Sequence, residues 1–247
     1  FVDFLTPYVL DAIAPNGKYR EDIAKYIEDM DLRKDKNIYF VPNGIEYRRF
    51  REVAERIKES DRFSIVYVGA VEWWSGLDIA VKVLRYVVRE IPNAKLYIIG
   101  EYRTPFGAYL HRLIKDLNLD RNIVFLGRRP YEFIIRFLPQ CRVGILMFPR
   151  SEVTVKAFPY KVLEYCACGT PVVMTNVTTL ARFVRRYDAG YVCEAGDLDC
   201  LAMSIVELIT DERLWRKCSE NAVKLASRFN VEKLARLEAQ IIASLGS

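Results

Sequence analysis

From Ser64 onward the chain alternates short β-branched runs with helical patterns, and no other feature restricts its fold as much. The runs SIVYVGA (64–70), KLYIIG (95–100), IVFLG (123–127), VGILMF (143–148), PVVMTN (171–176) and GYVCEA (190–195) each read as a strand. Between them, LDIAVKVLRYVVREI (77–91), FGAYLHRLIKDL (106–117), EFIIRFL (132–138), a short helix at 160–168 and LARFVRRY (180–187) carry apolar residues at helical spacing. Strands that are apolar almost throughout, alternating with helices, imply an α/β fold with a doubly wound parallel sheet covered on both faces. From Leu201 to Leu245 only helical patterns remain, so the C-terminus is expected to be helical.

The order breaks once, early. NIYFVPNGIEYRRF (37–50) places a Pro-Asn-Gly turn between a short strand and a polar helix, which makes residues 1–45 a piece of a different unit. Residues 46–230 are then the α/β domain and 231–247 a terminal helix. The 247 residues, 51% apolar, suffice for one sizeable core. The chain starts without Met, and FVDFLTPYVLDAIAP carries Asp3 and Asp11 with no basic leader, so it is expected to be part of a longer protein and not to start with a signal peptide.

A net charge of +5 from 37 basic and 32 acidic residues is too mild for a nucleic-acid partner, since the basic clusters are only pairs such as Arg128-Arg129 and Arg185-Arg186. No apolar run approaches the length of a membrane span. The six cysteines form no CxxC pair and have no histidine at metal spacing, so all are expected to be reduced, buried thiols of a cytoplasmic protein, with Cys166 and Cys168 serving as packing. No metal site is expected: Asp29 and Asp31 end a helical pattern, while Asp197 to Asp199 reads as an N-cap.

In an open parallel sheet the ligand crevice lies outside the carboxyl ends of the strands. That directs attention to loops 69–76, 100–106, 127–131, 148–160 and 176–180, and above all to FPYKVLEYCACGTPVV (158–173). Pro159 suits a first helical position and Gly169 a left-handed C′ position. Lys161 stands in the first turn, where the helix dipole favours acidic residues, and makes better sense with an anion between it and the free amides. Glu164 reads either as an exposed ion pair with Lys161, contributing about 0.3 kcal/mol, or as a carboxylate accepting from ribose hydroxyls. Trp73 and Trp74 in the first loop read as one buried and one half-exposed aromatic, and His111, the single histidine, as a helix-surface or packing residue.

FPYKVLEYCACGTPVV resembles the donor-site helix of the GT-B glycosyltransferases, family four (group 1). VYVGAVEWWSGLD is similar to that family's first glycine loop, NIVFLGRRPYEFIIRFLPQCRVGILMFPRSE to its middle, and AGYVCEAGDLDCLAMSIVELITDERLWRKCSENAVKLASRFNVEKL to its tail. IAPNGKYREDI and VPNGIEYRRF resemble the end of the family's N-terminal domain and the interdomain hinge, most of that domain being missing. The resemblance implies a Rossmann-like, nucleotide-sugar-binding domain of a retaining, metal-independent transferase with no cofactor beyond the nucleotide-diphosphate sugar. Its acceptor would be a glycan or lipid-linked hydroxyl, the donor phosphate would take the acceptor proton, and association would be at most peripheral at the inner membrane face.

The donor-binding set this implies is Gly69, Arg128, Glu152, Phe158, Tyr160, Lys161 and Glu164, with no catalytic side chain assigned. Glu164 would meet the ribose. Where the family places a first glutamate the sequence has Lys156, and Glu152 is the substitute carboxylate; where it places an arginine and a lysine on the diphosphate the sequence has Ala70 and Ser75, with Lys161, helped by Arg150 or Lys156, as substitute. A non-catalytic binding module with a degenerate donor site and a sugar-nucleotide epimerase are the alternatives.

Overall fold

The computed structural model describes residues 44–57 and 61–245. Nearly all of the expected N-terminal unit, including Asp29 and Asp31, lies outside them. The elements are α1 (Tyr47–Ala54), β1 (Asp61–Val68), α2 (Leu77–Glu90), β2 (Lys95–Ile99), α3 (Pro105–Asp116), β3 (Ile123–Gly127), α4 (Tyr131–Phe137), β4 (Cys141–Leu146), α5 (Glu152–Val155), α6 (Tyr160–Ala167), β5 (Val172–Thr175), α7 (Thr179–Tyr187), β6 (Gly190–Cys193), α8 (Leu198–Thr210), α9 (Glu212–Arg228) and α10 (Val231–Leu245).

The strands form one parallel sheet in the order β3-β2-β1-β4-β5-β6. Because side chains alternate along a strand, Ile65 and Tyr67 of β1 enter one core with Leu77 and Leu84 of α2, whereas Val66 and Val68 enter the other with Leu163 and Tyr165 of α6. Both faces are covered, which is why the strands carry so little polar alternation.

Each strand falls within about three residues of the sequence expectation. The departure at β4 matters most for packing, since the strand begins at Cys141 and so includes Arg142, fully buried in a central strand. Its guanidinium is held at two of its three nitrogens: Nε donates to the Leu208 carbonyl at 2.9 Å, Nη1 pairs with Glu212 at 2.9 Å, and the group lies 4.3 Å from the Trp215 ring centre. Trp215 in turn donates its indole N–H to the Arg142 carbonyl at 2.8 Å. This arginine fixes α8 and α9 to the amino end of the sheet.

The cysteine expectation is corrected. Cys193, the last residue of β6, is joined to Cys200 in the first turn of α8, with Cα atoms 5.9 Å apart. Asp197 caps α8 by accepting from the Cys200 amide at 2.9 Å, and this tight turn brings the two residues together. Cys141, Cys166, Cys168 and Cys218 are free and buried. The tryptophans also differ from expectation, since Trp73 is 55% exposed and Trp74 is half-buried against it, edge to face. Each leans on the other, and neither enters the core.

At the start of the domain Ile45 bridges Asn230 in parallel. The Ile45 amide donates to the Phe229 carbonyl and the Val231 amide to the Ile45 carbonyl.

Candidate functional site

The strand order reverses between β1 and β4, so a crevice opens where these neighbours send their chains to opposite faces. The two following loops touch there: a Cβ on Gly76, whose φ is +69°, would lie 1.7 Å from the Met147 carbonyl oxygen. Only glycine satisfies both the left-handed backbone and the close approach.

Helix α6 is pinned over this point by Tyr165. Its buried ring packs on Gly144 of β4, where a Cβ would stand 2.4 Å from a ring carbon, and its hydroxyl accepts from the Val68 amide at 2.8 Å. Lys161 lies one turn earlier on the same face and therefore reaches the end of β1. Its Nζ lies over the Tyr67 ring, 4.6 Å from the centre, and 6.0 Å from that of Phe148. Burial lowers its pKa to about 8, with the Glu164 charge opposing the shift. The reading of Lys161 and Glu164 as an ordinary exposed pair is thus corrected, because both are half-buried.

The Glu164 carboxylate accepts from the Tyr131 hydroxyl at 2.9 Å. Burial raises its pKa, while the Tyr131 hydrogen bond and Lys161 hold it down. The Tyr131 phenol is shifted upward by burial and by the Glu164 charge, so it remains a donor. Pro159 is the N-cap of α6 and not its first residue, having φ −77° and ψ 98°. Its side chain accepts nothing, so the first amides depend on other partners.

Gly69, Lys161 and Glu164 are brought together, joined by Tyr67 and Tyr131, which the sequence reading did not select. Arg128 is exposed on the loop before α4, and Glu152 is exposed at the start of α5, as is Lys156 at its end. The Phe158 side chain is in the core, 5.9 Å from Phe229 between ring centres, with Tyr160 edge-on at 6.1 Å and half-buried. Ser75 is buried and receives the Leu77 amide, while Arg150 is exposed. The helix α5 was not anticipated; Ser151 and Thr154 close a reciprocal cap that spans it. His111 is exposed and lies 4.6 Å from the Phe125 ring centre and 5.8 Å from that of Tyr102, on an open depression with Arg112, Lys115 and Asp120.

Among the described residues no cluster of three or more His, Cys, Asp or Glu side chains could hold a metal, and no helix is long and apolar enough to cross a membrane.

A doubly wound sheet of this order, with a glycine loop, a lysine and a glutamate at its reversal, is the Rossmann-like domain of the GT-B glycosyltransferase architecture. The chain belongs to the family described as Glycosyl transferases group 1, whose model matches residues 49–225. It is 25% identical over 211 residues to the N-acetyl-alpha-D-glucosaminyl L-malate synthase of Bacillus anthracis, covering 82% of this chain and 52% of that one. It is 24% identical over 241 residues to the D-inositol 3-phosphate glycosyltransferase of Corynebacterium urealyticum, covering 91% and 55%. The chain thus spans about half the length of these relatives. Among solved structures, sucrose-phosphate synthase from Thermosynechococcus elongatus superposes with a TM-score of 0.73 at 20% identity, over 95% of this chain and 57% of that one. The Anabaena protein HepE, solved in complex with UDP and glucose, does so with 0.74 at 19%, over 89% and 60%.

Proposed function

We propose that this chain is the donor half of a retaining glycosyltransferase and binds a nucleotide-diphosphate sugar for transfer to a glycan or lipid-linked hydroxyl. The observation that carries the reading is the placement of the Lys161 ammonium against Gly69 at the end of β1, one turn from the half-buried Glu164, at the reversal of strand order. The presence of UDP in the HepE structure supports a nucleotide in the same fold.

In this reading the amides at the start of α6 and Lys161 hold the diphosphate and offset the negative charge that develops on it as the glycosidic bond breaks. Glu164 accepts from the ribose, and Gly69 gives the phosphates close access to the backbone. Arg128 and Glu152, which stand exposed around the crevice, close on the base side and the sugar as the donor arrives. Tyr160 and the backbone at Phe158 shape the entrance. The donor phosphate takes the acceptor proton, and no metal or further cofactor takes part. The reaction belongs in the cytoplasm, with lipid-linked acceptors met peripherally at the inner membrane face.

Calorimetric titration with UDP, GDP, ADP and dTDP, and with their sugar conjugates, tests the reading. Micromolar-to-millimolar binding of one nucleotide by the wild type, lost in Glu164→Ala, is expected. Failure of a folded wild-type chain to bind any of them would favour a degenerate binding module, while conversion of the sugar without an acceptor would favour an epimerase.

A further inference from the structure

Helices α1 and α4 carry polar groups that converge on Glu164, and the established family membership assigns them no role. Tyr131, the first residue of α4, crosses to α6 and donates to one oxygen of Glu164 at 2.9 Å, 33 positions away in sequence. Its ring is held from behind by α1. Phe50 meets it edge-on at 5.8 Å between centres, and the Arg49 guanidinium lies 5.6 Å from its centre. Arg49 is itself fixed by ion pairs to Glu46 and Glu132. Among the described residues no other hydrogen bond to the Glu164 side chain is found.

We infer that Tyr131 is a positioning residue for the donor site: its hydroxyl occupies one oxygen of Glu164 and turns the other toward the ribose of the bound nucleotide. A glutamate side chain has three rotatable bonds, and a half-buried carboxylate without a donor is drawn either to its protonated form or toward Lys161 on its own helix. The phenol prevents both. It supplies a hydrogen bond to the charged form, and its rigid ring, set between Phe50 and Arg49, fixes where that bond points. The titratable and charged groups around Glu164 are Lys161 and Tyr165 of α6, Cys168 just past its end and Tyr131 of α4, with Arg49 of α1 and Glu46 just before it acting on Tyr131. The result is a carboxylate kept ionised and aimed from the neighbouring helix, with α1 fixing the angle. The ribose part of this inference rests on the donor reading above.

The test compares the wild-type chain with Tyr131→Phe, Glu164→Gln and the double variant, using two readouts. The first is the titration of Glu164 followed by carboxyl carbon NMR on the unliganded chain. In Tyr131→Phe its midpoint should rise, because burial is then opposed by Lys161 alone. The second is UDP affinity as a function of pH. Tyr131→Phe should weaken binding about tenfold near neutral pH, with the acid limb displaced to higher pH. In the Glu164→Gln background the same substitution should change affinity by less than about twofold, because it acts through Glu164. An unchanged Glu164 midpoint, or an effect of Tyr131→Phe of equal size in both backgrounds, overturns the inference while leaving the donor reading intact. A wild-type chain that binds no nucleotide overturns the donor reading and the ribose role together, and the NMR midpoint then decides the Tyr131–Glu164 coupling by itself.

Discussion

The Lys161 ammonium lies 3.3 Å from the Tyr67 hydroxyl, on ground that a side chain at position 69 would occupy. A Cβ on Gly69 would stand 2.1 Å from Lys161 Nζ, and its φ of +142° is one that residues with a side chain rarely adopt. Gly69→Ala should therefore displace the lysine and strain the loop, at a cost of roughly 1–3 kcal/mol in stability. Urea unfolding and nucleotide titration measure both effects, and a variant with wild-type midpoint and affinity would show that the contact has no energetic weight.

Lys161 also makes a prediction about pH. With its pKa near 8, it loses its charge well below the ordinary lysine value of about 10.4. Affinity for a nucleoside diphosphate should decline between about pH 7 and 9, and Lys161→Met should be weak and flat over that range. Stability moves the other way. The unfolded chain holds more protons than the folded one between about pH 8 and 10.4, so the lysine's contribution rises with pH across that window. Denaturant midpoints of wild type and Lys161→Met should converge there, and a constant gap would contradict the burial.

Arg142 is the converse case, a buried cation with a structural task. Truncation to alanine takes one donor from the Leu208 carbonyl and one from Glu212, which keeps Arg216, and opens space against Trp215. The expected cost is about 2–4 kcal/mol, from the space left against Trp215 and the lost hydrogen bond, with a milder effect from Glu212→Gln, whose side chain is 40% exposed. Because Arg142 sits at the amino end of β4, nucleotide affinity of the folded variant should stay within about twofold. A comparable loss of binding would mean that the two ends of the strand are coupled.

The bond between Cys193 and Cys200 closes a short loop, and its removal should cost about 2 kcal/mol. Thiol labelling reads it directly. Native protein should take up no label, and unfolding without reductant should expose the four free thiols only. Six labelled cysteines under those conditions would contradict the bridge.

The strands were legible because the inner ones, β4 and β5 above all, are buried on both faces, which leaves a run of apolar residues with little else to mean. Arg142 stands just before the apolar run read as a strand, and only its tertiary partners at Leu208 and Glu212 let a charged residue sit inside it. The pairing of Cys193 with Cys200 is hidden by spacing, since a strand end, a turn and a capped helix separate them. The helix bearing Lys161 and Glu164 announced itself through its proline, glycine and misplaced cation. Tyr131 carried only a weak signal, its position just after the third strand, because a hydrogen bond between distant helices has no sequence period. Phe158 belongs to the same motif but turns inward to Phe229, which motif matching alone does not distinguish.

The bridge between Ile45 and Asn230 makes the polypeptide enter and leave the domain side by side. Gly44 permits the approach: a Cβ there would stand 2.7 Å from Val231 Cα. With these two stretches fastened at one spot, α1 and α10 start from a common joint. Ile45 runs within two residues into α1, so the joint that holds these two stretches together also sets where Phe50 meets Tyr131.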